Sequence, residues 1–411
     1  MQNTPRRQLS PEAAAVLSVA GLSRRSLMRG LLAGGALAAT GGALAACGTK
    51  PAGQSNPAAP ACLATDVSAT EKKLVFSNWP LYIDVAEDDE KKRPTLDAFV
   101  AQSGIAVTYQ EDINDNNEFY GKVSPQLQAC QSIDRDIIVL TDWMAARLVR
   151  LGWVQKFDNT KTPNFTANIL PSLRARAWDQ QMVYAAPWQS GLTGIAYNGK
   201  VTKEVRTVDE LLTRPDLKGK ISVLSEMRDT MGLLLLSMGK DPANFATADY
   251  DAALEKLRKA VDSGQIRRFT GNDYKEDLAK GDIAACIAWS GDVIQLNAED
   301  EQIKFVAPDD GLMIWSDNMM VPATATHKSN VEQLIDYYYD PKVAAELAAW
   351  VNYICPVAGA QEAMRDIDAE LAENPLIFPD SAMLAKVKGF KPLTEAEDRD
   401  YAQKFEAVSG A

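Results

Sequence analysis

The sequence is poor in the residues on which most enzyme mechanisms depend. Its 411 residues include one histidine, His327, which argues against the usual general base and against Ser-His-Asp or Cys-His catalysis, and excludes a zinc site with several histidine ligands. The surrounding TATHKSN indicates a solvated loop. No Gly-x4-Gly-Lys-Ser/Thr phosphate motif and no cysteine cluster with metal spacing is present. Acidic residues are plentiful, so carboxylate-only hydrolysis, as in glycosidases, stays open.

The sequence also lacks a convincing permanent membrane span, but its beginning is typical of an export signal. SRRSLMR at residues 23–29 precedes a mildly apolar Gly/Ala/Leu run over 30–46, the pattern of a twin-arginine signal. The run stops at LAAC, which resembles the lipobox of bacterial lipoproteins, in which the cysteine receives a lipid. We therefore predict a twin-arginine lipoprotein signal peptide over 1–46, lipidation of Cys47, and anchoring to a membrane outside the cytoplasm.

Residues 47–70 are rich in Ala, Pro, Gly and Ser after the cysteine, and so predict a flexible tether. Without residues 1–46 the chain keeps 38 basic and 54 acidic residues, a net charge of −16. Such a charge disfavours nucleic acid as a partner and favours a small cation.

Four cysteines follow Cys47. Cys286 lies in an apolar run and is predicted to be an inert buried thiol, whereas Cys62 and Cys130 both lie in polar surroundings and could pair. Export permits such a disulfide, although a domain of this size does not need one.

Short apolar runs alternate with helical patterns along the body of the chain, which predicts an α/β fold with mostly parallel sheets. Predicted strands cover 74–77, 106–110, 137–140 and 221–224, and predicted helices cover 95–102, 117–128, 143–151, 229–238 and 250–261. Segments with Pro and Gly near 187 and 322 suggest two lobes around a cleft. We assign 71–186 plus about 318–360 to lobe 1, and 187–317 plus about 361–411 to lobe 2.

Two tryptophans are each followed closely by an acid, in AWSGD (288–292) and IWSDN (314–318). Each tryptophan is predicted to end a buried strand, which would place each acid at a strand's C-terminal edge, where open α/β sheets bind ligands. An indole face attracts a cation and a carboxylate accepts its N–H bonds, so the doubled pattern indicates a site for an organic ammonium. A core tryptophan followed by a helix-capping aspartate is the structural alternative for either pair.

Five segments in order resemble the polyamine-binding substrate-binding proteins of ABC importers. They are VFSNWPLYID, DNNEFYGKV, DIIVLTDW, DLAKGDIAACIAWSGDVIQ and GLMIWSDNMMVPATATHKSN, and the match runs from about Leu74 to the last helices. The resemblance implies a two-lobed periplasmic-binding-protein-like α/β fold of type II, with a cleft between lobes that are each a mostly parallel sheet flanked by helices. It also implies capture of a polyamine such as putrescine or spermidine for permease subunits, without catalysis, cofactor or metal.

The resemblance carries ligand-binding roles to eleven positions. They are Trp79, Tyr82, Thr141, Trp143, Glu226, Asp229, Trp289, Asp292, Trp315, Asp317 and Tyr353. Glu226 and Asp229 flank Arg228, which could consume one of them in an ion pair. Together the aromatic and acidic groups would grip methylene carbons and ammonium groups.

One departure from the family pattern bears on the ligand. Members often follow the first tryptophan with a hydroxyl residue and an acid, but this chain has Trp79-Pro80-Leu81-Tyr82. Asp142 could replace the missing charge, or could cap the helix that follows it. A shorter or differently substituted amine is therefore one interpretation, and another cationic metabolite, a metal chelate, or an exported carboxylate-dependent hydrolase are the alternatives. We expect a monomer.

Overall fold

The computed structural model describes residues 62–174, 176–380 and 386–410. The predicted signal peptide, Cys47 and the tether as far as residue 61 lie outside this part of the chain. Within the described ranges, no helix combines the length and the apolar character needed to cross a membrane.

The first lobe begins with the predicted alternation of strands and helices. Its elements are β1 (Lys73–Asn78), α1 (Pro94–Ser103), β2 (Ala106–Glu111), α2 (Asn116–Gln128), β3 (Ile137–Thr141), α3 (Asp142–Leu151) and α4 (Pro163–Asn168). Helix α1 starts at a proline, whose missing N–H costs nothing there, and stops at Gly104 in the left-handed conformation, φ 69°. The Asp115 side chain caps α2 by accepting from the N–H groups of Asn117 and Glu118. These local signals explain why the sequence predicted β1 to β3 and α1 to α3 to within a residue or two, whereas α4 was not predicted.

The second lobe repeats this pattern. After β4 (Ala186–Asn198) come α5 (Val208–Thr213), β5 (Ile221–Leu224), α6 (Met227–Ser237), α7 (Thr247–Asp262), β6 (Ile266–Thr270), α8 (Tyr274–Lys280), β7 (Ala285–Trp289), α9 (Ser290–Glu299) and β8 (Ile303–Val306). The chain then continues through β9 (Leu312–Met320), α10 (Lys328–Tyr338), α11 (Pro341–Val351), α12 (Ala360–Ile367), α13 (Ala369–Ala372), β10 (Val387–Lys388) and α14 (Glu395–Ser409).

The strands form one mixed sheet in the order β2-β1-β3-β9-β4-β7-β5-β6, with β10 beside β9 and β8 beside β4. Strands β2, β1 and β3 are parallel, as are β6, β5 and β7. The long strands β4 and β9 are antiparallel to each other and join the two parallel sets. The predicted two-lobed α/β fold with mostly parallel sheets is thus confirmed.

Strand β9 differs from its prediction in one respect that affects the site. It does not end at Trp315 but continues to Met320, and Asp317 pairs with Thr141 of β3 and with Gln189 of β4. The prediction that Asp317 follows a strand's end is therefore wrong, because the strand carries polar residues where it passes between the lobes. The prediction for β7 is confirmed, since that strand ends at Trp289 and α9 begins at Ser290.

Two buried clusters form the cores of the lobes. The first joins β1, β2, β3 and their helices to residues 319–377, and the second joins residues 195–313 to the buried face of α14. Residues from about 361 to 377, assigned to lobe 2 from the sequence, instead contribute Met364, Ala372 and Ile377 to the first core, because α12 packs on α11. Helix α14 lies in the second core through Tyr401, Phe405 and Val408.

The first described residues are fixed to the first lobe. Cys62 is disulfide-bonded to Cys130, and backbone N–H groups of Ala64 and Val67 donate to Ala323 and Thr326 at 2.9 and 2.8 Å. Residues 62–70 are therefore part of the folded body rather than of a flexible tether. Closing a loop of this size stabilises the folded chain by about 4 kcal/mol in the chain-entropy account.

His327 is buried, so its predicted place in a solvated loop is wrong. Its Nδ1 lies 3.0 Å from Asp136 Oδ1 and its Nε2 lies 3.3 Å from Glu71 Oε2. The two acids precede His327 by 191 and 256 residues in the chain. The residues around His327 therefore give no indication of these contacts.

Candidate functional site

A cavity of about 510 Å³ opens where residues of the two cores face each other. All eleven positions predicted from the sequence line it: Trp79, Tyr82, Thr141, Trp143, Glu226, Asp229, Trp289, Asp292, Trp315, Asp317 and Tyr353. The cavity is larger than a single ammonium group needs, and its walls combine aromatic rings with carboxylates.

Aromatic rings form a continuous inner wall. The ring centre of Trp289 lies 6.4 Å from that of Trp79 and 6.1 Å from that of Trp315, and the Trp315 ring lies 5.5 Å from Tyr353. Tyr82 meets Tyr353 edge to face at 5.2 Å. These edge-to-face and tilted contacts hold the rings in place in the cavity wall.

Two glycines let these rings approach the backbone. A Cβ added to Gly191 of β4 would lie 2.2 Å from the Trp315 ring, and one added to Gly291 would lie 2.4 Å from the Tyr353 ring. Gly291 is the glycine of the Trp-x-Gly-Asp segment. The small residue between Trp289 and Asp292 is thus required so that Tyr353, from beyond α11, can close the wall.

Asp229 is held at the cavity by neutral donors. Trp289 Nε1 donates to its Oδ2 at 2.9 Å and Thr193 Oγ1 donates to its Oδ1 at 2.8 Å, while Trp315 Nε1 donates to Thr193 Oγ1 at 3.1 Å. One hydrogen-bonded chain therefore links both tryptophans to this acid. Burial raises the pKa of Asp229 to about 6, although the hydrogen bonds oppose the rise.

Asp317, on β9, is held in a similar way by residues of the first lobe. Thr141 Oγ1 donates to its Oδ1 at 2.7 Å, and Asn116 Nδ2 donates in turn to Thr141 Oγ1 at 2.9 Å. Burial raises the pKa of Asp317 to about 7, and the nearby charges of Asp142 and Asp229 add to the rise. A cation placed beside Asp317 and Asp229 would remove this penalty, because it favours both ionised forms.

Asp292 lies deeper and has its partners within the protein. Its carboxylate accepts from Asn272 Nδ2 at 2.9 Å, Tyr274 Oη at 2.8 Å, Lys275 Nζ at 3.2 Å and Tyr353 Oη at 2.9 Å. Both oxygens are already bonded and the charge is paired with Lys275. The structure therefore brings Asp292 into the cavity wall as a group that positions Tyr353.

Glu226 caps helix α6 and is also partnered. It accepts from Asn116 Nδ2 at 3.2 Å, and its Oε1 lies 3.9 Å from Arg228 Nη1. Burial raises the pKa of Glu226 to about 8. The guanidinium carbon of Arg228 lies 3.8 Å from the centre of the Trp143 ring. Of the two acids that flank Arg228, Glu226 is the one the arginine approaches.

Asp142 does not cap its helix. The N-cap position of α3 belongs to Thr141, and Asp142 Oδ1 instead accepts from Asn318 Nδ2 at 2.8 Å, with Arg176 Nη1 at 3.6 Å. Its side chain is 40% exposed and lines the cavity. It is thus a further acid at the mouth, with a basic neighbour.

The sequence reasoning missed Asn116 and Lys275. Asn116 joins Thr141 to Glu226 across the lobes, and Lys275 neutralises Asp292. The DNNEFYGKV segment contains Asn116 and was a signal for it, whereas no spacing rule indicates the contact of Lys275 with Asp292. Arg228 was expected to pair with a flanking acid, but its stacking on Trp143 and its contact with Asp398 were not foreseen.

The fold and this enclosed aromatic and acidic cavity are those of a two-lobed solute receptor. Residues 95–379 match the family model described as bacterial extracellular solute-binding protein, and the chain belongs to this family. The family consists of extracellular binding proteins rather than enzymes, which places this chain outside the cytoplasm.

Named relatives extend along nearly the same span. The putrescine-binding periplasmic protein PotF of Escherichia coli K12 is 30% identical over 357 residues, which cover 81% of this chain and 90% of that protein. Spermidine/putrescine-binding periplasmic protein 1 of Haemophilus influenzae is 26% identical over 86% of this chain and 91% of its own. The solved spermidine/putrescine ABC transporter substrate-binding protein PotD of Streptococcus pneumoniae has a TM-score of 0.66 at 22% identity, with 83% of this chain and 99% of that chain covered, and shows the shared fold.

Proposed function

We propose that this chain captures an amine of the polyamine class outside the cytoplasm and delivers it to an ABC importer. The observation that carries the proposal is the state of Asp229 and Asp317. Both are buried at the cavity, and within the described ranges neither has a lysine or arginine in ion-pair contact. Buried carboxylates require a partner, and a bound ammonium would supply it.

The aromatic wall suits the rest of such a ligand. In this proposal Trp79, Trp289, Trp315, Tyr82 and Tyr353 enclose the methylene carbons and present ring faces to the charge. The names of the relatives, which bind putrescine and spermidine, support the same ligand class. The remaining predicted residues, Thr141, Trp143, Glu226 and Asp292, would position these groups and shape the cavity.

The energetics allow useful affinity. Cation–π contacts contribute about 0.5–2 kcal/mol each, and hydrogen bonds to a charged group about 1.5–3 kcal/mol each. Two or three of each kind reach the roughly −8 kcal/mol of micromolar binding after the costs of association. Closure of the lobes over the ligand would expel water and give the permease subunits a surface to recognise, and the protein would act as a monomer.

Calorimetry with purified protein tests this function. We expect at least one of four amines to bind with a Kd in the micromolar range or below. These amines are putrescine, spermidine, agmatine and N-acetylputrescine. Betaines, ferric chelates and a glycoside panel are the comparison set, since they represent the alternative ligands and the hydrolase. Binding of a betaine or ferric chelate without any amine, or turnover of a glycoside, would contradict the proposal.

We also propose that residues 1–46 are a twin-arginine lipoprotein signal and that Cys47 carries the lipid. The SRRSLMR and LAAC segments support this. Full-length protein expressed in a bacterium should partition with membranes, and Cys47→Ser should release it into the soluble extracytoplasmic fraction. Cys286→Ser, at a buried thiol, is the matched control and should stay with the membranes. Equal partitioning of Cys47→Ser and wild type would refute the anchor.

A further inference from the structure

The N-termini of helices α2 and α6, one from each lobe, meet beside the cavity. Asp115 caps α2 and also accepts from Ser225 Oγ of the second lobe at 2.9 Å. Glu226 caps α6 and also accepts from Asn116 Nδ2 of the first lobe at 3.2 Å. Each lobe therefore supplies one acid and one donor to the same junction.

The backbones of the two lobes also approach closely at this junction. A Cβ added to Gly271, which follows β6 of the second lobe, would lie 2.8 Å from the carbonyl oxygen of Asn114 in the first lobe. This distance is shorter than van der Waals contact, so a methyl group at position 271 would push the two backbones apart. The absence of a side chain at Gly271 is thus needed for the lobes to meet as they do.

Asn116 connects the junction to Asp317, the acid on β9. The Asn116 Nδ2 donates to Thr141 Oγ1 at 2.9 Å as well as to Glu226, and its Oδ1 accepts from the Thr141 N–H at 3.1 Å. A hydroxyl has one hydrogen, so the bond that Thr141 receives from Asn116 leaves this hydrogen for Asp317, to which Thr141 donates at 2.7 Å. Separation of the lobes would take Glu226 away from the amide that orients Thr141.

We infer that Asp115, Asn116, Ser225 and Glu226 form an inter-lobe latch that holds the cleft closed, and that Asn116 is a positioning residue that links closure to Asp317. The inference rests on the proposed function, because Asp317 is taken as an acid that meets the amine. The latch contacts form only when the lobes meet. They therefore slow release of the ligand and do not assist its entry.

Stopped-flow kinetics with putrescine, spermidine and agmatine test the latch, with the tryptophans of the cavity wall as the fluorescent reporters. Ser225→Ala removes one hydrogen bond between the lobes and should raise koff by about threefold or more. Gly271→Ala introduces a methyl group between the lobes and should raise koff by about tenfold or more. Neither residue lines the cavity, and kon should not fall in either variant.

Ser237→Ala and Gly121→Ala are the matched controls. Ser237 Oγ donates to Leu234 O within α6 at 2.7 Å, and a Cβ added to Gly121 in α2 meets nothing within 4 Å. Both control variants should keep kon and koff within about twofold of wild type. An unchanged koff in folded Ser225→Ala and Gly271→Ala, or a lower kon with an unchanged koff, would overturn the latch.

Asn116→Ala tests the positioning role. It should raise the Kd of the amine by about tenfold or more, because the side chain loses its bonds to both Thr141 and Glu226. In an Asp317→Asn background the same substitution should raise the Kd by a clearly smaller factor, because the charge that Thr141 serves is already gone. Equal factors in the two backgrounds would overturn the positioning role, and Asn116→Ser is the second variant where Asn116→Ala does not fold.

A cross-link separates the latch from the function beneath it. Without ligand, Asp115→Cys combined with Ser225→Cys should form a disulfide on oxidation by copper phenanthroline. Asp115→Cys combined with Ser237→Cys, at the other end of α6, should not. Failure of the first pair to cross-link in folded protein would overturn the latch even where amines bind. Failure of wild type to bind putrescine, spermidine, agmatine and N-acetylputrescine would instead refute the proposed function and the positioning role, and the cross-link would then decide the latch alone.

Discussion

Asp317→Asn is expected to weaken binding of the tightest amine in the calorimetric panel by about 30-fold or more. Removing one partner of a buried, hydrogen-bonded charge pair costs roughly 2–5 kcal/mol. The amide keeps the size of the side chain and can still accept from Thr141 Oγ1, which donates at 2.7 Å, so the lost charge is the main change. Titration calorimetry of variant and wild type measures the ratio of Kd values directly.

Asp84→Asn is the matched control for this substitution. Asp84 is also buried and accepts from the Thr95 N–H at 2.7 Å, and burial raises its pKa too, but it does not line the cavity. The Asp84→Asn variant should bind the amine with a Kd within about twofold of that of wild type.

Thermal unfolding at pH 8 without ligand should show Asp317→Asn to be at least as stable as wild type. Folding raises the pKa of Asp317, so the ionised carboxylate at pH 8 opposes folding, and the amide removes this cost. If folded Asp317→Asn bound the amine with the Kd of wild type, Asp317 would not be a ligand-binding residue.

Amine affinity is expected to fall about 100-fold or more as the pH is lowered from 8 to 5. The pKa values of Asp317 and Asp229 in the empty cavity are about 7 and about 6, so both groups take up protons across this range. A protonated carboxyl cannot balance an ammonium, and the amine itself stays charged throughout. Each unit of pH below a raised pKa can therefore cost up to about tenfold in affinity for each group.

The same linkage predicts release of protons when the amine binds. Near pH 7 the measured binding enthalpy should differ between two buffers of different ionisation enthalpy. The direction of the difference should show that protons pass from the protein to the buffer. In Asp317→Asn the amine affinity should depend less steeply on pH, because only Asp229 still titrates. The midpoint of that pH dependence should lie nearer pH 6. An affinity that stays constant from pH 8 to pH 5 would show that neither acid faces the ligand.

The parallel strands and the helices between them could be predicted from the sequence, because their start and stop signals are local. Strand β7 is a short apolar run that ends at Trp289, and α2 begins at an aspartate that caps it. Strand β4 was not among the predicted strands, and β9 was predicted to end at Trp315 although it continues to Met320. In β9 the side chains of Ser316 and Asp317 hydrogen-bond to Ser190 of β4 and Thr141 of β3, and these polar residues break the apolar pattern expected of a buried strand.

The residue types of the site were readable for a different reason. The family resemblance supplied the eleven positions, eight of them within the five segments, and all eleven line one cavity. Which acids have basic partners could be predicted only in part. Arg228 was recognised between Glu226 and Asp229, but Lys275 meets Asp292 17 residues later and Arg228 meets Asp398 170 residues later. Long-range pairing, rather than residue identity, decides which carboxylates are left for a ligand.

The disulfide between Cys62 and Cys130 has a mechanical consequence. A tensile force applied to the chain before Cys62 is transmitted through the disulfide to Cys130, just after α2, and so to the first lobe. Residues 63–72 are not detached from the lobe by this force. The second lobe, which is joined to the first through β4, β9 and the chain between Ile377 and Phe390, stays out of the path of the force. Tension at the N-terminal side would therefore restrain the first lobe and leave the second free to move about these three connections.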